Sequence, residues 1–474
     1  VSAQKSSLTR WLIAIAVFVV AAAVLVAAGL WWNASQRYEV AAAPAVEWEA
    51  AAAEPAEGGD GAPDVAAAVA RTAKDPALGQ LSAQVTDLLT GEVVWSTNEN
   101  RPLVPASATK IMTGSAALLA LPLDQRVETY VVRSASKPGE LIIAGEGDVT
   151  LSQGQDDGFF TDAASIEALA AAVKPNLKGE PVTSIVVDNS VREGALFNRT
   201  WDPADVGGGN VADLDSAMLN AGRINPLQSD SPRSEEPGED VGHALADALG
   251  APEAKVSVEE RTAASPLLAD TQGDAKEQLE ASEQLKSSEQ SADLTWMGGV
   301  SSAPLDVRLR DMLVNSDNIL AEAIAREVAE SQGVPRTFKG ATEATLKVLR
   351  EGGVDVADAK LTDNSGMSSK NRLTSHDLDS ALAHEDLRLI LDMLPVAAAE
   401  GTLSTRYADG SGAEQSAGWV RAKTGTLSGV NALAGTVTTK EGRPLSFAFL
   451  SNESDIAQGR AALDRLANSL RNAR

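Results

Sequence analysis

Three short motifs hold the residues best suited to bond-breaking chemistry. The first is Ser107-Ala108-Thr109-Lys110. Pro105 stops a helix from extending backward, so Ser107 is predicted near the amino end of a helix that continues through IMTGSAALLAL. Lys110, three residues on, then lies on the same face one turn away. A buried lysine loses proton affinity, and a neutral amine beside a hydroxyl can take its proton. The helix terminus also favours negative charge developing next to it. The spacing alone is weak evidence: Ser2–Lys5 and Ser134–Lys137 repeat it, and roughly one or two chance matches are expected at this composition. Only the match at Ser107 combines a helix-start signal with an apolar helix behind it.

The second motif, Ser316-Asp317-Asn318, precedes the helical stretch ILAEAIAREVA. These residue types are preferred helix caps, and capping is the commoner reason to find them there. The third, Lys423-Thr424-Gly425-Thr426, sits in the strand-like WVRAKTGTL and occurs once, against roughly a tenth of a match expected by chance. Glycine within a strand marks a close approach by a ligand or another backbone. Lysine and threonine beside it offer a cation and a hydroxyl to a carboxylate. The plainer reading is an exposed strand with a surface lysine.

The elements that must position these motifs are legible in outline. Residues 82–97 read as a hairpin turning at Thr90–Gly91, followed by a helix from Ser107 to Leu119. Residues 128–146 alternate as strands around Lys137-Pro138-Gly139, and 184–188 form another strand. Residues 304–332 and 338–352 read as helical. Strands return at 418–426, 430–438 and 444–451. A last helix, 455–471, places Ile456, Leu463, Leu466 and Leu470 on one face, predicted to pack on the sheet. The acidic, Ser/Gln-rich stretches 226–240 and 269–293 read as exposed or disordered loops.

Composition narrows the chemistry. The chain has 474 residues, which suggests about three domains. Its net charge of −26 argues against nucleic acid as a partner. With no cysteine there is no disulfide framework, thiolate nucleophile or cysteine-based metal site. His243, His376 and His384 are scattered, so no metal and no cofactor is expected.

The uncharged run Trp11–Leu30 reaches about 30 Å as a helix, enough to cross a bilayer. Lys5 and Arg10 before it, with Glu39, Glu47 and Glu49 beyond it, orient residues 1–10 to the cytoplasm and the rest outside. The expectation is a single-pass cell-membrane protein with its catalytic part on the extracytoplasmic side. Secretion after signal cleavage is the alternative. Residues 33–75 read as an acidic Ala/Pro/Glu/Gly tether, with order beginning near Leu81.

The three motifs together, in this order, are the signature of penicillin-binding proteins and class A β-lactamases. The chain resembles the D-alanyl-D-alanine carboxypeptidases of the peptidase S13 family, the class C type-4 low-molecular-mass penicillin-binding proteins. Further matching pieces are Pro105-Ala106-Ser107, Gly145-Glu146-Gly147-Asp148-Val149-Thr150-Leu151, Ala321-Glu322, Asp363-Asn364-Ser365-Gly366, and Gly401-Thr402-Leu403 with Arg406. Val149 stands where relatives usually have proline. Ser369-Lys370 follows Ser365-Gly366-Met367-Ser368, where relatives often show arginine.

The resemblance implies an α/β (α+β) fold: a transpeptidase-like body with a five-stranded antiparallel sheet flanked by helices, plus inserted smaller domains and an N-terminal transmembrane helix. The implied division is tail 1–10, span 11–32, tether 33–75, catalytic body 76–150 and 296–474, and inserted domains 151–295. It further implies a serine D-Ala-D-Ala carboxypeptidase trimming peptidoglycan stem peptides, with endopeptidase action on cross-links left open. Ser107 would be the nucleophile, Lys110 the base, and Ser316 the proton relay. Asn318 would hold the acyl amide and Lys110. Lys423 and Thr424 would bind the terminal carboxylate beside Gly425. The N–H groups of Ser107 and Thr426 would form the oxyanion hole. β-Lactams would acylate Ser107 covalently. A β-lactamase is the nearest rival, disfavoured by the long stretch between the first two motifs and the lack of a Glu-x-x-Leu-Asn element. A catalytically weak protein that binds or scaffolds D-Ala termini is the rival of another class, disfavoured by the presence of both Ser107 and Lys110.

Overall fold

A computed structural model describes residues 63–155, 158–260 and 294–474. Its principal sheet is built from both ends of that span. β1 (Gln80–Asp87) and β2 (Val93–Thr97) form the expected hairpin. They join β10 (Val420–Leu427), β11 (Val430–Thr438) and β12 (Pro444–Asn452) in the order β10-β11-β12-β1-β2, antiparallel throughout. Alternate residues of each strand serve opposite faces. Val85, Leu433, Phe447 and Phe449 join the core beneath the C-terminal helix Ile456–Arg471, whereas Ala432, Ala434, Ala448 and Leu450 join the larger helical core. Burial on both faces explains why β11 and β12 read as nearly continuous apolar runs. Small alanines on the second face let helices approach closely.

That helical core surrounds the helix Thr109–Ala120, buried from Thr109 through Ala117. The helices Asn318–Ser331, Phe338–Glu351 and Ser375–Ala383 pack around it. The apolar segment after Lys110 is thus a central helix.

A second sheet holds β3 (Glu128–Ser134), β4 (Glu140–Gly145), β6 (Ser184–Asp188), β8 (Lys255–Glu259) and β9 (Leu294–Ser301), in the order β8-β6-β4-β3-β9. β4, β6 and β8 run parallel, while β3 is antiparallel to both its neighbours. The helices Ile166–Leu177 and Pro237–Leu249 share an apolar core with it. β5 (Asp148–Leu151) pairs in parallel with β7 (Ala217–Leu219) nearby. Sheet membership therefore straddles the expected divisions at 150/151 and 295/296. Strand character was visible at 128–146, but nothing local shows which sheet a strand joins.

Other expectations differ in detail. Residues 63–78, assigned by composition largely to the tether, are folded: Val65, Val69 and Leu78 are buried in the core beneath the C-terminal helix. Their alanine-rich setting hid them. The stretch 226–240 is no exposed loop throughout, since Ser231, Arg233, Pro237 and Gly238 are buried. The last helix buries Leu463, Leu466 and Leu470, but Ile456, at its first turn, is exposed. Residues 304–332 form two helices, Leu305–Asn315 and Asn318–Ser331, broken at Ser316. The expected cytoplasmic tail, membrane span, tether to residue 62 and acidic stretch 269–293 lie outside the described residues. Among the described residues no helix is long and apolar enough to cross a membrane.

Candidate active site

The turn that presents Ser107 is conformationally unusual. Ala106 has φ 48°, in the left-handed region, which costs a non-glycine residue of order 1 kcal/mol. A short 3-10 turn, Ala106–Ala108, then leads into the central helix. Two glycines make room for this turn. Gly366 (φ 87°) lies so close that a Cβ there would strike the Ala106 carbonyl. A Cβ on Gly425 would lie 2.6 Å from the Pro105 oxygen and 3.1 Å from both Ala106 Cβ and Ala108 N. The close approach inferred from a glycine in the third motif is therefore to the nucleophile turn itself.

Lys110 is fully buried. Its Nζ lies 3.0 Å from Ser107 Oγ, 2.5 Å from Asn318 Oδ1 and 2.7 Å from the Ser365 carbonyl oxygen. Burial pushes its pKa down to about 8, against the opposing pull of Asp317, Asp363 and Glu322. Two of its three partners are obligatory acceptors. A neutral amine has two N–H donors and one lone pair. If those donors serve Asn318 and Ser365, the lone pair faces Ser107 Oγ–H.

Ser316 occupies the break between two helices with φ 58°, also left-handed. Asp317 then caps the next helix, Oδ1 accepting from Leu320 N at 2.8 Å. The capping role and the site coexist in this motif: Asp317 caps, while Ser316 and Asn318 face the site. Lys423 Nζ donates to Ser316 Oγ at 2.8 Å and to the Thr424 carbonyl at 2.9 Å. Lys423 is fully buried rather than a surface lysine. Burial holds its pKa well below the ordinary lysine value, with Lys110 and Arg406 adding repulsion. Thr424 Oγ1 lies 2.9 Å from Thr402 Oγ1, and Thr426 Oγ1 accepts from Arg460 Nε at 3.2 Å.

These groups border a cavity of about 610 Å³ whose wall includes Ser107, Ser316, Asn318, Thr424 and Thr426. The structure thus brings all three motifs to one place. Among the described residues no cluster of histidine and acidic side chains could hold a metal. What the arrangement can do is move a proton off one serine onto a lysine, with a second serine–lysine pair alongside.

Sequence reasoning missed several supports. Asp317 is fully buried, and its Oδ2 pairs with Arg223 at 2.8 Å and Arg233 at 3.1 Å. Those two guanidiniums hold its carboxyl well below the usual range despite burial. Both arginines come from the long stretch between the first two motifs, and an isolated arginine in a polar stretch carries no local signal of burial. Glu322 Oε1 accepts from Asn364 N and Ser365 N, each at 2.8 Å, fixing the carbonyl that Lys110 meets. Asp363 Oδ2 accepts from Trp201 Nε1 at 2.8 Å and Ser368 N at 2.6 Å. Glu322 and Asp363 stood in recognisable pieces of sequence. Trp201 had no such marker.

Fold and site together define a serine peptidase of the penicillin-binding class. Penicillin binding protein 4 from Haemophilus influenzae has a similar fold, with a TM-score of 0.62 at 20% identity, covering 83% of this chain and 96% of that one. The chain belongs to the D-Ala-D-Ala carboxypeptidase 3 (S13) family, whose profile matches residues 65–268 and 248–472. It is 41% identical over 415 residues to Carboxypeptidase DacB of Mycolicibacterium smegmatis, covering 86% of this chain and 84% of that protein. It is 40% identical over 416 residues to Carboxypeptidase Rv3627c of Mycobacterium tuberculosis, covering 86% and 83%. The protein is accordingly a serine D-Ala-D-Ala carboxypeptidase, a hydrolase.

Proposed function

We propose that the carboxypeptidase reaction runs through an acyl-enzyme on Ser107, with roles set by the geometry around Lys110. Neutral Lys110 takes the Ser107 proton as Oγ attacks the carbonyl between two D-alanines. The backbone N–H groups of Ser107 and Thr426 receive the oxyanion, where fixed donors stabilise developing charge. Ser316, held by Lys423, relays the proton taken up by Lys110 to the departing D-alanine amine, which returns Lys110 to its neutral form. The terminal carboxylate docks at Lys423 and Thr424, with Gly425 admitting the strand against the nucleophile turn. Asn318 keeps Lys110 oriented and faces the acyl chain's amide. Water then cleaves the ester and regenerates Ser107. The observation that carries this reading is the buried Lys110 amine, placed 3.0 Å from Ser107 Oγ by two obligatory acceptors.

β-Lactams mimic the substrate at this centre and acylate the same oxygen. The penicillin binding protein 4 of Haemophilus influenzae has also been solved complexed with a β-lactam. Cross-linked stem peptides present a similar amide beside a carboxylate, so endopeptidase action belongs to the same proposal. The inserted region is proposed to run from 128 to 301, as sheet membership suggests. Residues 11–32 are proposed to anchor the enzyme with its catalytic body outside the cytoplasm, on the strength of the apolar run and its flanking charges. The test is D-alanine release from a stem pentapeptide and cleavage of a cross-linked dimer, each with Ser107→Ala alongside. Release by the parent and none by the variant is expected. Equal release by both would overturn the Ser107 assignment.

A further inference from the structure

Four arginines line the cavity: Arg223, Arg233, Arg406 and Arg460. Three of them have carboxylate partners. Arg223 and Arg233 share Asp317. Arg406 binds both oxygens of Asp464, at 2.6 and 2.9 Å. Arg460 forms no ion pair among the described residues. Its Nε donates to Thr426 Oγ1 at 3.2 Å. The helix Ile456–Arg471 carries it from one turn beyond the Asp455 cap to the cavity rim.

Lys423 is poorly placed to act alone on an anion. Its amine is buried, with its proton affinity lowered chiefly by that burial, and already committed to Ser316 Oγ and the Thr424 carbonyl. A guanidinium is a permanent charge with a planar fork of donors suited to carboxylates. With Nε serving Thr426, the two terminal nitrogens of Arg460 remain for a ligand. Thr426 Oγ1, accepting from Arg460, keeps its own hydrogen to donate.

We propose that Arg460 is a specificity-determining residue, which reads the free carboxylate beside the scissile amide together with Thr424 and Thr426. This rests on the reading above that the carboxylate docks at the Lys423–Thr424 end of the cavity. Arg460 adds a guanidinium with no carboxylate partner among the described residues, so it discriminates an acid from an amide terminus. The effect falls on substrate capture, since the carboxylate is present in ground and transition states alike.

The experiment compares kcat and KM of the full chain with Arg460→Gln, Arg460→Lys and Thr424→Val. The substrates are an acylated peptide ending in D-Ala-D-Ala and the same peptide with a C-terminal amide. Loss of a charge-assisted hydrogen bond corresponds to a drop of about 10- to 100-fold in kcat/KM for the acid, carried mostly by KM. Arg460→Gln should show that drop and change the amide less than about threefold, collapsing the acid-to-amide preference. Arg460→Lys should recover part of it. An unchanged preference in Arg460→Gln, with a collapsed one in Thr424→Val, overturns the role of Arg460 alone. An unchanged preference in both overturns the placement of the carboxylate itself. Melting temperatures within a few degrees of the parent separate either result from misfolding, as Arg460 is exposed and, among the described residues, its side chain bonds only Thr426.

Discussion

Lowering the pH should switch off acylation by charging Lys110. The amine sits in a fully buried site that pushes its pKa from 10.5 to about 8. The proton-accepting form is half populated at pH 8 and about one hundredth populated at pH 6. The second-order rate of acylation by benzylpenicillin should therefore fall roughly 50-fold between pH 8 and pH 6, approaching tenfold per unit. Stopped-flow mixing across pH 5.5–9.5 at constant ionic strength reads this directly. Lys110→Met should slow acylation by about 10²- to 10⁴-fold at pH 8 and flatten the profile. A parent profile flat from pH 6 to 9, or one rising only toward the ordinary lysine value, would refute the base assignment. So would a Lys110→Met variant within a few-fold of the parent. The same shift acts on stability. Between about 8 and 10.5 the unfolded chain holds a proton that the folded chain has released, so stability rises with pH across that window. The full change is about 3 kcal/mol, and the penalty is fully present below pH 8.

Three further outcomes follow from particular contacts. Asp317→Asn leaves Arg223 and Arg233 buried without their shared anion, and should cost about 3–5 kcal/mol in chemical denaturation; a loss under about 1 kcal/mol would mean the pair is not clamped as described. Gly425→Ala puts a methyl 2.6 Å from the Pro105 oxygen, and should slow penicillin acylation by at least about tenfold through displacement of the Ser107 turn; an unchanged rate would show that the turn yields freely. Glu146, half-buried beside Glu128, has its pKa raised to about 7, chiefly by loss of solvation. The folded chain thus holds an extra proton between about 4.5 and 7, and stability falls as pH rises through that window. Glu146→Gln should match the parent near pH 4.5 and gain about 1–3 kcal/mol by pH 8, visible as a melting-temperature difference that widens with pH; a pH-independent difference would refute the shift.

The motifs were legible because local rules place their residues. Proline before Ser107 and the three-residue step to Lys110 put hydroxyl and amine on one helix turn. Capping residue types in the second motif mark the start of the helix Asn318–Ser331, but they do not by themselves reveal that 304–332 breaks at Ser316. The glycine after Thr424 marked a close approach without naming its partner. What stayed hidden depends on distant chain segments. Arg223 and Arg233 look like solvated charges, yet they close on Asp317 from a different part of the chain. Val65 and Val69 sit among alanines and acids that resemble a tether, and only the C-terminal helix gives them a core. Strands β3 and β4 were visible as strands, but their assignment to the second sheet depends on β6 and β9. Ala106 and Ser316 carry left-handed backbones that their residue types do not announce.

The most direct test of the account is the intact mass of the full chain after brief treatment with excess benzylpenicillin, followed by peptide mapping. A single penicilloyl adduct on the peptide carrying Ser107, absent from Ser107→Ala, is expected. An adduct mapped to any other residue, or no adduct on a folded protein with the antibiotic left intact, would contradict it.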